Sequence, residues 1–585
     1  MGYVLSTLRR LYDGVFTKVK PTSSQMVTIA GLSGAQFTPG TEVYQDAKYQ
    51  YATSTYGVER DLNPALIVQP LNIDDIIKTL KYAKEKKVAV AIKTGGHQYS
   101  GASSTSAPNI QLDLEKTFRG PLDRAIFRKD GKAYARTSVS WSLGEFNAWL
   151  AENKVFVPHG QCTEVHLGGH VQSGGYGQLA RSFGLLGDQV LSLEIIDSDG
   201  NTKEVTKANN PDLFFAFLGG SPGNFGVLTH FTIQAHQDED YNGSRGMKAM
   251  YFYDTKVLKR LLDILVEMSD DENFPRNYDL CISVLSSAFP LLDLCPGLDE
   301  HMAREHPEYN LEPTNGSYRR LYGKNGIIAW PRAIAVYAQW VPFESGDECD
   351  LSWFDRIKEG SEWILGNNDV NEKRYVPNHS VLPSAAPVPS AAPERFMLTY
   401  IVVTMSELTG DWIFRNVREF EKPYVKRTYT TNSRTLGQDG WAQWAVNRID
   451  AVVRPDFNRC WLSAQLQCFG GKNSMFTRNA DNGTSYSWRD TSIGCTMDCF
   501  HDPETKVRAE DWQKVNDEEA IGPNGVFSKK DRRVLWGSYG DWNLDKVWDC
   551  YYDNRAKYER LQNIRKAADP YGTFTPNPFC VKRAA

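Results

Sequence analysis

The chain has 585 residues, of which 66 are basic and 71 acidic, so the formal net charge is -5. Hydrophobic residues make up 41% and charged residues 23%. These are the proportions of a folded globular protein and exclude disorder, collagen and coiled coil as the main architecture. At about 150 residues per domain the length predicts two to four domains, and no long stretch is basic enough to follow a nucleic acid backbone.

The first 58 residues differ in character from the rest of the chain and are predicted to be an N-terminal extension. They contain no apolar core of the length of a signal peptide, and no apolar run in the chain reaches the roughly 18 residues of a membrane helix. The ten cysteines are unevenly spaced and do not form a disulfide framework. We therefore expect a cytoplasmic protein with reduced thiols; a mature secreted form is the alternative.

Residues 59–238 show an α/β pattern with glycine-rich junctions. Apolar residues at helical spacing predict helices over 73–86, 143–152 and 212–218. Short apolar runs predict strands over 65–68, 88–92, 155–157, 190–197 and 226–233. Because short units of this kind succeed one another along a single stretch, we expect one cofactor-binding domain.

Residues 239–533 have longer loops and apolar segments that predict an antiparallel sheet flanked by helices, with strands over 334–339, 398–405, 461–468 and 492–500. A segment rich in proline, alanine and serine, 376–393, is predicted to be a surface loop or hinge. We expect a substrate-binding domain here, and residues 534–585 to pack back on the first domain. The predicted fold class is α+β.

Several tryptophans of the middle region are candidates for stacking walls around a sugar ring or an aromatic substrate. The alternative is that they belong to the core. They are Trp412, Trp441, Trp444, Trp461 and Trp488.

One cysteine and four of the ten histidines lie between residues 97 and 170, in a glycine-rich stretch. Cys162, His166 and His170 have a spacing that suits zinc ligands on one helix face. The interior glycines, at about 1 kcal/mol each, argue against a continuous helix there. Ordinary buried histidines would not explain two Gly-Gly-His triplets. The third interpretation is that the glycines let the backbone approach a planar, phosphate-bearing ligand such as a dinucleotide.

Three glycine-rich motifs and the C-terminal tail resemble those of a known family. Residues 93–101, KTGGHQYSG, look like the flavin-attachment loop of the berberine bridge enzyme-like oxidoreductases, which have the vanillyl-alcohol oxidase (PCMH-type) fold. Residues 159–177, HGQCTEVHLGGHVQSGGYG, and 219–229, GGSPGNFGVLT, are similar to the second and third loops of that family. The tail over 551–574 resembles its C-terminal helix and exit. The resemblance implies a PCMH-type FAD-binding domain of two α/β subdomains over 59–238.

The resemblance also implies FAD bound through two covalent bonds, from His97 to the 8α-methyl carbon and from Cys162 to carbon 6. A histidine nitrogen and a thiolate are nucleophiles able to form such bonds. His170 matches a histidine that hydrogen-bonds near the ribityl chain and the N1 edge of the flavin. His159 belongs to the loop that presents Cys162, and His166 is assigned no role. The other cofactor-binding positions carried over from the family are Thr94, Gly95, Gly96, Gln98, Tyr99, Ser100, Val165, Gly169, Gly174, Gly175, Gly177, Asn224, Gly226 and Val227.

A flavin at this site accepts a hydride while a base removes a proton from the substrate. Tyr176 matches the base of alcohol-oxidising members of the family, but a phenol base needs a nearby cation to lower its pKa. The predicted strand over 492–500 holds Asp498 and no lysine or arginine, so Asp498 is a second candidate base. Tyr539 matches a tyrosine on the substrate side. A hydrogen-bonded structural role is the alternative for each.

Val165 matches the position that gates oxygen in this family, where a valine leaves space that a leucine would fill. The resemblance therefore implies an oxidase that transfers electrons from an alcohol, sugar or secondary metabolite to dioxygen and forms hydrogen peroxide. Oxidative cyclisation or dehydrogenation of an alkaloid or polyketide is the alternative activity, and a flavin-carrying protein that has lost activity is the alternative class. We expect a small-molecule substrate and dioxygen as partners, no metal, nucleic acid or membrane, and a monomer or weak homodimer.

Overall fold

The computed structural model describes most of the chain. The described ranges are 28–50, 62–99, 101–285, 332–361, 404–411, 423–453, 460–528, 533–535 and 543–585, together with the backbone of four short strands at 322–323, 326–327, 363–365 and 401–402. The predicted loop over 376–393, Ser100, Trp412 and Tyr539 lie outside these residues.

The first sheet is mostly parallel and places the Gly-Gly-His loop at its edge. It consists of β1 (Ala35–Phe37), β2 (Leu66–Gln69), β3 (Val90–Lys93) and β4 (Ile110–Asp113). The order is β1-β2-β4-β3; β2 and β3 run parallel to β4, and β1 runs antiparallel to β2. Because β3 ends at Lys93, the loop that contains His97 begins at the carboxyl edge of the parallel strands, where ligands of such sheets bind.

The second sheet is antiparallel. Its strands are β5 (Arg124–Lys129), β6 (Lys132–Ser138), β7 (Val155–Phe156), β8 (Val190–Ile196), β9 (Thr202–Thr206) and β10 (Val227–Gln237). The order is β5-β6-β10-β8-β9, with β7 paired to one end of β10.

The third sheet is also antiparallel and is the largest. It contains β11 (Arg245–Phe252), β12 (Tyr278–Leu285), β15 (Ala333–Trp340), β16 (Trp363–Leu365), β17 (Ile401–Val402), β18 (Tyr424–Thr431), β19 (Cys460–Cys468) and β20 (Ile493–His501), while β13 (Tyr322–Gly323) and β14 (Gly326–Ile327) pair separately. The order is β16-β11-β15-β12-β19-β20-β18, and β17 pairs with β11. The α+β class is confirmed.

Fourteen α-helices lie within the described residues. They are α1 (Glu42–Ala47), α2 (Ile73–Lys86), α3 (Leu143–Glu152), α4 (Leu167–Gln172), α5 (Ala180–Phe183), α6 (Pro211–Phe217), α7 (Thr255–Asp270), α8 (Leu351–Lys358), α9 (Met405–Asp411), α10 (Trp441–Val453), α11 (Met475–Arg478), α12 (Lys506–Ala520), α13 (Leu544–Tyr551) and α14 (Arg555–Ala568). None of the helices in this part of the chain combines the length and apolar character needed to cross a membrane.

The predicted strand over 398–405 is confirmed at 401–402 and is wrong at its end, because Met405 begins helix α9; residues 398–400 and 403 lie outside the described ranges. Thr404 and Glu407 form the start of that helix: the Thr404 hydroxyl donates to Glu407 Oε2 at 2.6 Å. A Thr-x-x-Glu pattern is a helix-start signal. Asp238 accepts the Ser406 amide proton at 2.8 Å, so a residue far away in the sequence also caps the helix.

Within the described residues, two large hydrophobic cores support the three sheets. The first lies under the first two sheets and includes Leu112 and Phe231, and it also takes in Tyr558 and Leu561 of α14, which are fully buried. The second surrounds the third sheet. The domain boundaries at 238 and 533 stay predictions.

Arg181 joins the region of the first core to the third sheet. Its side chain is fully buried and donates to the backbone carbonyls of Phe274, Pro275 and Tyr278 at 2.7–2.9 Å. It also donates to the Gly470 carbonyl at 2.9 Å. A planar guanidinium with five fixed donors suits four carbonyls in one place. Arg181 therefore fixes the segment after the 159–177 motif against β12 and β19.

We expect Arg181→Met to destabilise the protein by about 3–5 kcal/mol, because the apolar side chain leaves four buried carbonyls without their donor. The readout is the thermal denaturation midpoint of the full chain. Arg136→Met is the matched control: Arg136 pairs with Glu194 on the surface at 2.6 Å, with both side chains about a third exposed, and its loss should cost less than about 1 kcal/mol. Equal midpoints for the two variants would contradict the role given to Arg181.

Candidate functional site

A cavity of about 420 Å³ lies between the glycine-rich loops and one face of the third sheet. A smaller cavity of about 80 Å³ adjoins it, and the two share Gln98, Ser173 and Pro222. The predicted residues that line the larger cavity are Thr94, Gly95, Gly96, His97, Gln98, Tyr99, Cys162, Val165, Gly169, His170, Tyr176, Gly177 and Asp498. The structure thus brings together residues from 94 to 498 that are far apart in the sequence.

Five predicted cofactor residues do not line the larger cavity: Gly174, Gly175, Asn224, Gly226 and Val227. The carbonyls of the first two accept the amide protons of Gly187 and Leu186 at 3.0 and 3.1 Å, so they fix the conformation of the loop. Val227 is buried in the first core. Ser100 and Tyr539 lie outside the described residues, so their predicted roles stay predictions.

His97 and Cys162 face each other across the cavity wall. The Cys162 Sγ lies 3.7 Å from His97 Nε2. The other ring nitrogen, Nδ1, is 3.2 Å from the Gly95 carbonyl. Since a carbonyl only accepts hydrogen bonds, Nδ1 carries the proton in the neutral ring and Nε2 presents its lone pair. Both predicted attachment residues therefore point at one end of the same cavity.

His170 is held neutral beside these residues. The Gly160 amide donates to His170 Nε2 at 2.9 Å, which leaves Nδ1 as the protonated nitrogen. Burial, with a smaller effect of the neighbouring His159, lowers the pKa of His170 to about 3. Burial likewise lowers the pKa of His159 to about 4. The predicted contact of His170 with a ligand can therefore come only from an uncharged ring at neutral pH.

His166, to which the sequence assigned no role, packs against the loop that contains His97. Its Nδ1 donates to the Glu164 carbonyl at 3.0 Å, and the residue precedes helix α4 as its N-cap. A Cβ built on Gly95 would lie 2.4 Å from this nitrogen, so only glycine fits at that position. Packing against His166 therefore explains why the first glycine of the Gly-Gly pair, Gly95, is a glycine.

Tyr176 and two cross-strand pairs of the third sheet form the opposite wall. The Tyr176 hydroxyl is 3.4 Å from the Thr496 hydroxyl, and Thr496 donates to Thr428 at 3.2 Å. Two residues along the same two strands, Lys426 lies opposite Asp498. The two form an ion pair, with Lys426 Nζ 2.8 Å from Asp498 Oδ1. These side chains all line the cavity.

Lys426 supplies the cation that the sequence did not reveal. It comes from β18, the neighbour of the strand that carries Asp498. Burial raises the pKa of Tyr176, and the charge of Lys426 acts in the opposite direction. Burial would also lower the pKa of Lys426, but the charge of Asp498 outweighs this, so its pKa is raised and it is charged at neutral pH.

The tryptophan stacking wall is wrong for the four tryptophans that the structure describes, because none of them lines the cavity. Trp441 and Trp488 are buried in the protein, Trp444 packs on Phe527, and Trp461 packs on a separate aromatic cluster. The sheet wall carries small hydroxyl and amide side chains instead. Besides the two threonines these are Ser283, Ser463 and Gln465.

The donor set of the cavity suits a flavin better than a metal. Among the described residues, no group of three or more histidines, cysteines and acidic residues is arranged to hold a metal ion. Gly169 faces open space, with nothing within 4 Å of a Cβ placed on it. In the third loop Asn224 donates to the Phe574 carbonyl at 2.8 Å, and its Oδ1 is buried without a hydrogen-bond partner in the described structure. Asn224 does not line the cavity itself, but the adjacent Gly223 does, so a ligand donor that reaches past Gly223 would satisfy this oxygen.

Comparison with known proteins agrees with this geometry. The family model of the FAD binding domain, FAD_binding_4, matches residues 64–206. An FAD-linked oxidoreductase of Dictyostelium discoideum is 26% identical over 270 residues, 46% of this chain and 55% of that protein. The berberine bridge enzyme-like protein 11 of Arabidopsis thaliana is 36% identical over 174 residues, 29% of this chain and 32% of that protein. These matches thus span about half or less of each relative's length.

The solved structure of a glucooligosaccharide oxidase from Acremonium strictum has the same fold as this chain. It superposes with a TM-score of 0.63 over 94% of this chain and 98% of that one, at 14% identity. The resemblance that the motifs indicated is confirmed. The chain carries an FAD-binding domain and has the PCMH-type fold of the berberine bridge enzyme-like FAD-linked oxidoreductases.

Proposed function

We propose that the protein is an FAD-dependent oxidase that takes a hydride from an alcohol carbon of a small hydroxylated substrate. The flavin would be held covalently by His97 and Cys162 and reoxidised by dioxygen to give hydrogen peroxide. The observation that carries the proposal is the convergence of His97 Nε2 and Cys162 Sγ, 3.7 Å apart, in a cavity whose other wall holds Tyr176, Lys426 and Asp498.

Double attachment requires two nucleophiles very close together, because carbon 6 and carbon 8, which carries the 8α-methyl group, belong to the same six-membered ring of the flavin. The separation of His97 and Cys162 meets this requirement. The Acremonium strictum oxidase is described as carrying a 6-S-cysteinyl, 8α-N1-histidyl FAD, which supports attachment through one cysteine and one histidine here. Bound FAD supplies a hydride acceptor that dioxygen can reoxidise.

Tyr176 is the residue that we assign to proton removal. Its hydroxyl lies on the cavity wall beside Thr496, where it can receive the proton of a substrate hydroxyl. The phenolate that does so is stabilised by the charge of Lys426 and opposed by burial. Asp498 keeps Lys426 charged and in place through its ion pair. Since the net pKa of Tyr176 is raised, the active form grows as the pH rises into the alkaline range.

The polar wall supports a hydroxylated substrate. Ser463, Gln465 and Thr428 offer both hydrogen-bond donors and acceptors on the sheet side of the cavity. A substrate with several hydroxyl groups can exchange hydrogen bonds with such side chains, whereas a purely aromatic substrate would take them out of water and offer no hydrogen bond in return. We therefore place a sugar or polyol ahead of an alkaloid.

The first test measures both covalently bound flavin and peroxide formation. Acid precipitation of the wild type should leave yellow flavin in the pellet, and so should Cys162→Ala, since it keeps the histidyl bond; the double variant His97→Ala/Cys162→Ala should lose it. Tyr176→Phe should keep the flavin but lower peroxide formation, measured against a panel of sugars and alcohols, by about 100-fold or more. A colourless wild-type pellet refutes the attachment. Unchanged turnover in Tyr176→Phe refutes the assigned base.

The pH profile tests the role of Lys426. Lys426→Met removes the cation that lowers the pKa of the Tyr176 phenol. The effect of Asp498, which raises this pKa, is then no longer offset. The rising limb of kcat/KM should therefore move to higher pH by about one unit or more. Lys248→Met is the control, because Lys248 is buried in the same sheet but does not line the cavity. The rising limb of kcat/KM in Lys248→Met should stay at the same pH as in the wild type.

Asp498→Asn separates the two candidate bases. If Tyr176 is the base, turnover is retained and only the rising limb moves, because the carboxylate acts on the phenol both directly and through the charge of Lys426. If Asp498 is itself the base, the same variant loses turnover by about 100-fold or more at every pH. The second result would reassign proton removal to the carboxylate.

Val165 provides a test of oxygen access. It lines the cavity beside Cys162 and packs partly on the first core. Val165→Leu should leave anaerobic reduction by substrate intact and slow reoxidation by dioxygen by about tenfold or more, measured by stopped flow, because the extra methylene fills the space near the flavin. Val165→Ala should reoxidise as fast as the wild type. Equal rates in all three proteins would show that this position does not control oxygen.

A further inference from the structure

The contact between His97 and Cys162 has the geometry of a base and a thiol nucleophile. His97 Nε2 is 3.7 Å from Cys162 Sγ, within the range of a hydrogen bond to sulfur. The Gly95 carbonyl, 3.2 Å from Nδ1, fixes the tautomer whose Nε2 accepts. A base held by a third group and aimed at a thiol is the arrangement that activates cysteine nucleophiles.

We infer that His97 is the base that ionises Cys162, so that formation of the cysteinyl bond to the flavin depends on His97. This rests on the doubly attached flavin of the proposed function. The thiolate, and not the thiol, is the nucleophile, and a free cysteine has a pKa of ~8.5, so only a few per cent is ionised at pH 7. An imidazole within hydrogen-bond distance can take the thiol proton and so increases the fraction of thiolate at pH 7.

The dependence runs in one direction. The neutral Nε2 already has the lone pair that it needs to form its bond to the 8α carbon, so histidyl attachment does not require the thiol. Because the same lone pair takes the thiol proton, the cysteinyl step comes before the histidyl step. Cys162, in contrast, must lose a proton before it can react. Removing His97 therefore impairs both attachments, whereas removing Cys162 impairs one.

The cysteinyl step balances with dioxygen as the oxidant. Cys162 Sγ forms a bond to carbon 6 of the flavin, and the thiol proton passes to His97 Nε2 and on to solvent. The C–H bond at carbon 6 breaks, and its proton also leaves. The two electrons left over reduce dioxygen, which takes up both protons as hydrogen peroxide. The net change is one thiol, one ring C–H and one dioxygen to one thioether and one hydrogen peroxide.

The other titratable groups of the cavity do not offer a competing base in the described structure. Burial lowers the pKa of both His166 and His170, and the Nε2 of His170 already accepts from Gly160. Lys426 and Asp498 are paired with each other. The remaining titratable groups on the cavity wall are the phenols of Tyr99, Tyr176 and Tyr424.

The test starts from the full chain produced without flavin in a riboflavin-limited host. Iodoacetamide alkylation of Cys162 is followed by peptide mass between pH 6 and 10. We expect His97→Ala to react about tenfold or more slowly than the wild type at pH 7 and equally fast near pH 10. Added free imidazole should restore part of the rate at pH 7. Cys349, half-buried with a pKa raised to about 11 by burial, is the internal control and should react alike in both proteins.

FAD is then added in air, and the attachment of each residue is followed by mass. The expected result is slow cysteinyl attachment in His97→Ala and a wild-type rate of histidyl attachment in Cys162→Ala. Identical alkylation profiles, or cysteinyl attachment at the wild-type rate in His97→Ala, overturn the inference while leaving double attachment intact. A wild type that attaches no flavin at Cys162 refutes the double attachment itself, and the alkylation profile still decides whether His97 acts on the thiol.

Discussion

The site depends on one docking contact, the burial of Arg181 and its neighbours against the third sheet. The guanidinium is fully buried and holds four backbone carbonyls, and the backbone amide of the same residue donates to Asp279 at 2.9 Å. Gln467 reaches back from β19 to the carbonyl of Gly177. These contacts fix the segment that carries Tyr176 on the face that carries Lys426 and Asp498. Without them the loops and the sheet would be two separate surfaces.

The same contact explains why Asp279 is tolerated in the interior. Burial raises the pKa of its carboxyl to about 6, and Ser182 and Arg181 partly compensate for the lost hydration. A carboxyl whose pKa is raised on folding favours the folded state in its protonated form, so this group stabilises the fold at low pH and that contribution is lost as the pH rises through about 6. The docking contact is therefore held by hydrogen bonds to Arg181 more than by a favourable charge.

The sequence predicted the parts of the site that are local. Short motifs contain His97 and Cys162 together with the glycines that their loops need, and helices such as 73–86 and 143–152 were predicted with the observed bounds, because start signals and apolar spacing lie within a few residues. Lys426 could not be found in this way. It is one of 66 basic residues, and only the register of β18 against β20 places it opposite Asp498.

His166 is a second residue whose role could not be predicted from the sequence. Its motif position was known, but its effect is on Gly95, some seventy positions earlier, and depends on how two loops pack. Gly174 and Gly175 show that residues of a motif can also serve the loop itself, since their carbonyls accept hydrogen bonds from backbone amides. A motif therefore identifies which loops meet at the cavity. The chemistry at the cavity is decided by pairs such as Lys426 and Asp498 that only the folded sheet brings together.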